Sequence, residues 1–402
     1  MNILIITTSF PDKSNNDIGG KFVLNEAKAY TANGLSVKVL TPHQPEAKKK
    51  ELIQERLEVI RFRYFFPENL QCLKTPNKPM YGQKTILSFF QIPFFLLVFI
   101  IQIIKYHQWA DLIHCQWTIT ALLAIPCKLL FKKKIIMTVR GSDIRLLPKW
   151  LNKFIHKNVD AVIDCYGDQI WNIENKQNFS ANYIKLPLIV DHDSSASVEM
   201  PIDMRSALRK NDEAFIIIYL GRFDQVKIDD GLPIFNLIEA AKKIKEDYNA
   251  KFHVFYIGDG NKSINLKLRK LVADNQLDNY ITFLGPKNNV NDYISFCDLG
   301  IGGIAFNAVS QEFSSFKKAQ LLFEGPLNQK TPWENKINTL FVKVDDVEDL
   351  AEVIAYAIMN RSHLKKIGEC AYRMMTKYIK GLNTGGAAYL KAFSKVINKG
   401  SF

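Results

Sequence analysis

Residues 215–227 read FIIIYLGRFDQVK. The apolar run Ile216–Leu220 has the length of a strand. It shows no alternation of apolar and polar positions, which is the pattern of a strand covered on both faces. It stops at Gly221-Arg222, where a polar segment begins. Similar runs recur downstream at Lys251–Ile257, Tyr280–Leu284, Leu299–Ile304 and Asn338–Val344, each followed by helical periodicity. Upstream, the same reading gives strands at Ile3–Ile6, Ser36–Leu40, Glu58–Phe62, Leu112–His114, Lys134–Val139 and Ala161–Asp164. A loop (Ser9–Gly20), an amphipathic helix (Phe22–Ala32) and a turn at Asn33-Gly34 lie between the first two of these. Strands alternating with helices specify an α/β fold with parallel sheets.

The segment Asp191–Pro201, DHDSSASVEMP, is polar and rich in Ser and Asp. It reads as a linker between two halves of similar design. The expected organisation is a doubly wound domain over 1–190, the linker over 191–201, a second doubly wound domain over 202–375 and a closing helix over 376–402. The carboxyl ends of both sheets would then face a central cleft, where open α/β sheets bind ligands.

The 402 residues, 47% apolar and 23% charged, are enough for two such cores and exclude a disordered or collagen-like chain. Six cysteines with no CxxC pair argue against a disulfide scaffold or a zinc site. The net charge of +13 points to an anionic partner. It is uneven: +9 over residues 1–195, −4 over 196–360 and +8 over 361–402. The N-terminal MNILIITTSF has no basic n-region and reads as a first buried strand, with cytoplasmic residence as the expectation.

Thr85–Ile104 carries no charge and is bracketed by Lys84 and Lys105. Fifteen of the nineteen residues from Ile86 to Ile104 are apolar, which meets the length of a membrane span. Pro93 and Gln102 interrupt it, and a span would separate the first strand from those after residue 110. A helix in or beside the core, a helix partly inserted into a membrane face, and a span are the three readings. Basic residues do not interleave with Phe89, Phe90, Phe94, Phe95 and Phe99, so a nucleic-acid platform is not expected.

Four places carry groups suited to chemistry. Arg222 and Lys227 follow a strand end and are spaced to neutralise a diphosphate, or are two solvated cations. Gly258 and Gly260 in IGDG let a backbone approach a nucleotide, or form a plain turn. In SQEFSSFKKAQ (310–320), Ser314 or Ser315 would cap a helix whose free N–H groups make an anion site. Glu312 would lie just before that helix and Gln320 within it. His114 and Asp143 could serve an acceptor or simply fill structural places. The other histidines show no ligand spacing.

The order GR…K, IGDG, FLG, Glu-x7-Glu/Gln and VDDVEDLAEVI resembles the donor-binding half of the retaining GT-B glycosyltransferases of family 4. The SFP…GG-KF loop, DLIH, TVRGSD and LPLIVD fall in the same family's order through the N-terminal half. The resemblance implies two Rossmann-like domains, with C-terminal helices crossing back to an acceptor-binding N-terminal domain. It implies a metal-independent transfer from a nucleoside-diphosphate sugar of the UDP or GDP type, with no other cofactor. By it, Arg222 and Lys227 hold the diphosphate, Gly19 and Gly20 line it, and Gly221 lies beside them. Glu312 contacts the transferred sugar and Gln320 stands where an acid binds the ribose, with Glu324 as a substitute one helical turn later. Arg140 stands where many members have His, and would meet an anionic group.

The function expected is transfer of a sugar to a surface-glycan or lipid-linked acceptor, as in lipopolysaccharide or capsule synthesis. The enzyme would work as a bacterial peripheral protein on the cytoplasmic face of the plasma membrane. Its basic N-terminal half and C-terminal tail would meet anionic lipid, and no nucleic acid would be bound. A nucleotide-sugar epimerase of the same fold is one alternative. A non-catalytic membrane- or glycan-binding module, favoured by Gln320, is another.

Overall fold

The computed structural model describes residues 1–12, 14, 19–74, 86–139, 147–165, 182–189, 199–208, 213–223, 225, 228, 233–287, 289–304, 307–324, 332–377 and 379–398. The chain forms two compact units. Unit 1 is Met1–Asp191 with Tyr378–Phe402, and unit 2 is His192–Lys377.

Unit 1 begins with β1 (Asn2–Ile6), α1 (Lys21–Ala32), β2 (Ser36–Pro42), β3 (Lys50–Gln54), β4 (Leu57–Phe62), α2 (Ile86–Tyr106) and β5 (Leu112–Gln116). It continues with α3 (Thr118–Phe131), β6 (Lys134–Val139), α4 (Lys149–Asn158), β7 (Ala161–Asp164), β8 (Asn182–Lys185) and β9 (Leu188–Ile189). The chain's last elements, β16 (Ile379–Lys380) and α12 (Leu382–Asn398), complete it. The main sheet has the order β3-β4-β2-β1-β5-β6-β7-β8, and β3 pairs antiparallel with β4 while the other pairs are parallel.

Strand β1 shows why the apolar runs lack alternation. Leu4 and Ile6 enter one core with Phe95 and Phe99 of α2, while Ile3 and Ile5 enter the opposite one with Tyr30 of α1 and Tyr389 of α12. Both faces of the strand are therefore buried, and every position must be apolar. The close approach of α12 to α1 depends on Gly386, where a Cβ would lie 2.3 Å from the Ala29 carbonyl oxygen. A polar network crosses the same face. Gln116 Nε2 donates to Glu26 Oε2 at 2.7 Å, and the Tyr389 hydroxyl reaches Glu26 Oε1 at 3.5 Å and Cys165 Sγ at 3.0 Å.

The charge-free segment is the helix α2, with Pro93 inside it. Ser88, Gln91, Phe95, Phe99 and Ile103 form a buried stripe at spacings of three and four residues, packed in unit 1. Gln91 is fully buried, donates to Leu70 O at 2.6 Å and accepts from Cys72 N at 3.1 Å.

Unit 2 contains α5 (Ile202–Leu208), β10 (Phe215–Leu220), α6 (Asn236–Tyr248), β11 (Phe252–Ile257), α7 (Lys262–Asp274), β12 (Ile281–Gly285) and α8 (Val290–Ser295). β13 (Leu299–Ile304), α9 (Ala308–Ser315), β14 (Ala319–Glu324), β15 (Leu340–Lys343), α10 (Val347–Met359) and α11 (Arg361–Met375) follow. Its sheet is wholly parallel, in the order β12-β11-β10-β13-β14-β15. This is the doubly wound order that reverses direction between its first and fourth strands, here β10 and β13.

With these boundaries, 29 basic and 15 acidic residues give unit 1 a net charge of +14, and 24 against 25 leave unit 2 at −1. The basic segment 361–402 is thus shared, since α11 lies in unit 2 and α12 in unit 1.

Candidate active site

The reversal point of unit 2 brings together the ends of β10 and β13. Arg222 follows β10 and is half-buried. After β13 the chain reaches Asn307, which caps α9. Its Oδ1 accepts from Ser310 N at 2.8 Å, while Ser310 Oγ accepts from Asn307 N at 3.1 Å. This box uses the Ser310 amide and leaves the first-turn amides of Ala308 and Val309 outside it, the usual anion-binding end of a helix. An Arg fork on one side of the reversal point and a helix start on the other are groups chemically suited to a diphosphate.

The cap corrects the reading of residues 310–320. The helix starts at Ala308, so Glu312 lies inside it, half-buried, while Ser314 and Ser315 form its last turn and cannot cap its start. Ser314 Oγ donates to Ser310 O at 2.8 Å, and Ser315 Oγ to Glu312 O at 2.7 Å. Lys317, at φ 55°, ends the helix in left-handed backbone, and the apolar AQLLF that follows is strand β14 rather than more helix.

Gln320 therefore sits on β14, fully buried beneath α9. Its Nε2 donates to Ser310 O at 3.2 Å and Ser314 Oγ at 3.0 Å. Through this nitrogen it braces strand against helix, while its Oε1 has no hydrogen-bond partner among the described residues. Glu324 is exposed at the carboxyl end of the same strand, so four residues separate it from Gln320 by about 13 Å, not by one helical turn. The glycines of LGIGG (299–303) have the matching explanation. A Cβ at Gly300 would lie 2.5 Å from the Phe313 ring, and one at Gly302 would lie 2.5 Å from Gln320 Oε1.

Gly258 and Gly260 are also packing glycines. A Cβ at Gly258 (φ 141°) would meet Gly221 O at 1.9 Å, and one at Gly260 would meet Phe223 O at 2.0 Å. The loops after β10 and β11 lie against each other, with Phe223 N donating to Asp259 O at 3.1 Å. These glycines let the loop that carries Arg222 and the loop after β11 lie in backbone contact.

In unit 1, Gly20 takes φ 82° as the cap of α1, and a Cβ there would lie 2.4 Å from Ser9 O. Gly19 precedes it at the carboxyl end of the first strand's loop. His114 is fully buried on β5, with Nδ1 3.3 Å from the Tyr30 hydroxyl and Nε2 2.7 Å from Thr138 Oγ1. Both ring nitrogens are engaged inside the core, so His114 is not an acceptor contact. Lys227, Arg140 and Asp143 lie outside the described residues.

One residue escaped the sequence reading. Gln311, next to Glu312, is fully buried, and neither amide atom has a hydrogen-bond partner among the described residues. An unpaired buried amide costs about 1–3 kcal/mol until something polar meets it. Glutamine at one position in a polar run carries no periodic signal, so only the structure reveals it. Among the described residues, no three His, Cys, Asp or Glu side chains converge as a metal site would need.

Residues 17–165 match the family model described as Glycosyl transferase 4-like. No curated protein matches the sequence. Among solved structures, the sucrose-phosphate synthase of Thermosynechococcus elongatus has a TM-score of 0.75 at 16% identity, over 99% of both chains. Anabaena HepE, in complex with UDP and glucose, has 0.70 at 14%, over 98% of this chain and 99% of that one. The trehalose-6-phosphate synthase OtsA has 0.71 at 11%, over 98% and 99%. The fold is that of the GT-B glycosyltransferases. The family-model match lies within unit 1 of this GT-B fold, and the structural likeness extends across both units.

Proposed function

We propose that the chain is a retaining, metal-independent glycosyltransferase. Unit 2 binds a nucleoside-diphosphate sugar of the UDP or GDP type. Unit 1 binds a surface-glycan or lipid-linked acceptor at the cytoplasmic face of the plasma membrane. The observation that carries this reading is the pairing, at the reversal point of the unit 2 sheet, of Arg222 after β10 with the capped start of α9 after β13. The complexes of HepE with UDP and with UDP-glucose support the donor class, because HepE shares the fold.

In the reaction, the bond from the sugar's anomeric carbon to the diphosphate breaks, and negative charge develops on the leaving group. Arg222, Lys227 and the α9 amides stabilise that charge as it forms. Glu312 meets the sugar, and the Gln311 amide takes a polar group of the nucleotide or sugar. The acceptor hydroxyl bonds to the anomeric carbon on the face the diphosphate leaves, and its proton passes to the departing phosphate oxygen.

Turnover is read as release of nucleoside diphosphate with a lipid-linked glycan present. Arg222→Ala should lose on the order of 2–4 kcal/mol of transition-state stabilisation. Unchanged turnover would take Arg222 out of the site. Epimerised free donor without transfer would favour the epimerase.

A further inference from the structure

We propose that the outer face of α2, α3 and α4 is a docking surface for an anionic lipid bilayer, which unit 1 enters to the depth of one helix side and does not cross. The proposal gives the membrane location suggested above a specific surface, and it rests on that reading only for its purpose.

Opposite the buried stripe of α2 lies an exposed one, Ile86, Phe90, Phe94, Leu97 and Ile101, at the same helical spacing. Ile86 is 90% exposed, Phe90 59% and Leu97 57%. A lone exposed Leu is ordinary, whereas a contiguous row of large apolar side chains marks a contact surface. The row does not end with the helix. α2 packs on α3, whose last residues Leu129, Leu130 and Phe131 are exposed, and α3 packs on α4.

On α4 the buried positions are Asn152, Ile155 and His156. Its outer side carries Lys149, Lys153 and Lys157 at every fourth residue, with Trp150 and Phe154 one residue after the first two. Trp150 is 70% exposed. None of the three helices contains an Asp or a Glu, and Lys105 and Lys132 add two further exposed cations at their ends. Apolar and aromatic side chains among lysines, with no carboxylate, match the boundary between acyl chains and anionic headgroups. A second copy of this chain fits poorly, because it would set lysines against lysines with no acid to pair them.

The same helix is held against spanning. Gln91 bonds to Leu70 and Cys72, and Phe95, Phe99 and Ile103 belong to the core beside β4 and β5. Crossing the bilayer would strip α2 from that core.

The test uses the full chain and phosphatidylcholine vesicles with or without about a third phosphatidylglycerol, read by co-sedimentation. The native chain should pellet with the anionic vesicles and at least about tenfold less with neutral ones or at high salt. Phe89→Ser/Phe90→Ser should lower partitioning about tenfold. Lys149→Glu/Lys153→Glu/Lys157→Glu should lower it about a hundredfold, since each lysine near an anionic surface contributes roughly a factor of five. Trp150→Ser serves if the triple variant does not fold. Each variant should keep its thermal midpoint and its release of nucleoside diphosphate from a water-soluble donor and acceptor. Partitioning that ignores all these changes would overturn the proposal. So would retention after an alkaline carbonate wash, which marks a span. A dimer that the Phe variants convert to monomer, with lipid binding intact, would replace it with self-association. If lipid binding behaves as expected while no donor is turned over, the surface stands and the glycosyltransferase reading falls.

Discussion

The two units share one design and differ in what covers it. In unit 2, helices such as α6 and α10 bury an apolar stripe under a mixed charged surface, and the unit is near neutral. In unit 1, α2 is apolar on both sides and the unit is strongly basic. Unit 2 helices leave scattered large apolar residues exposed, such as Leu266 and Met359, whereas α2 exposes a whole stripe opposite its buried one. That stripe is the part of α2 that burial does not explain.

The largest expected effect separates the two sides of α2. Phe99→Ala should cost about 3–5 kcal/mol by emptying core space, whereas Phe90→Ser should stay within about 0.5 kcal/mol in urea unfolding. Equal losses would mean that both stripes are core, and the contrast between units would vanish.

Next in size is a pH effect with one histidine in each unit. Burial pushes His156 of unit 1 and His253 of unit 2 down to about 4, from the usual 6.5. Well above pH 6.5 both are neutral whether folded or not, and they add no pH dependence. As pH falls from 6.5 towards 4 the unfolded chain takes up protons that the folded chain refuses, so stability drops by about 3 kcal/mol per histidine and then levels. His156→Gln should flatten this loss for unit 1 and His253→Gln for unit 2, as followed by unfolding at stepped pH. A loss confined to one unit would show that the other histidine reaches water.

Smaller effects separate the two neighbouring glutamines of unit 2. Gln320→Met should destabilise by about 1–3 kcal/mol, because its bonds to Ser310 and Ser314 go, with nucleotide affinity little changed. Gln311→Met should leave stability equal or higher and weaken nucleotide binding about tenfold by calorimetry. The reverse pattern would restore Gln320 as the ligand.

Much of this was legible in the sequence. Strands buried on both faces read as apolar runs, and β6, β7 and β13 carry the expected limits. What failed was local. The edge strand β3, with exposed Lys50, Leu52 and Gln54, has a surface pattern that resembles a loop. Strand β14 reads as helix in the sequence because two serines offer a cap, while in the structure the Asn307 cap, seven residues before Ser314, starts a helix that ends before the strand. The glycines at 258 and 260 signalled a close approach but not of what, since a neighbouring loop and a ligand impose the same need. Gln311 gave no signal, because an unpaired amide is a property of surroundings and not of spacing.

The proposed donor site of unit 2 lies between Arg222 and the start of α9. Hydrogen exchange with and without UDP or GDP tests this placement. Slowed exchange is expected at 221–223 and 307–312 with the cognate nucleotide, and none at the outer face of α2. Protection confined to unit 1, or none with any nucleoside diphosphate at saturating concentration, would contradict it.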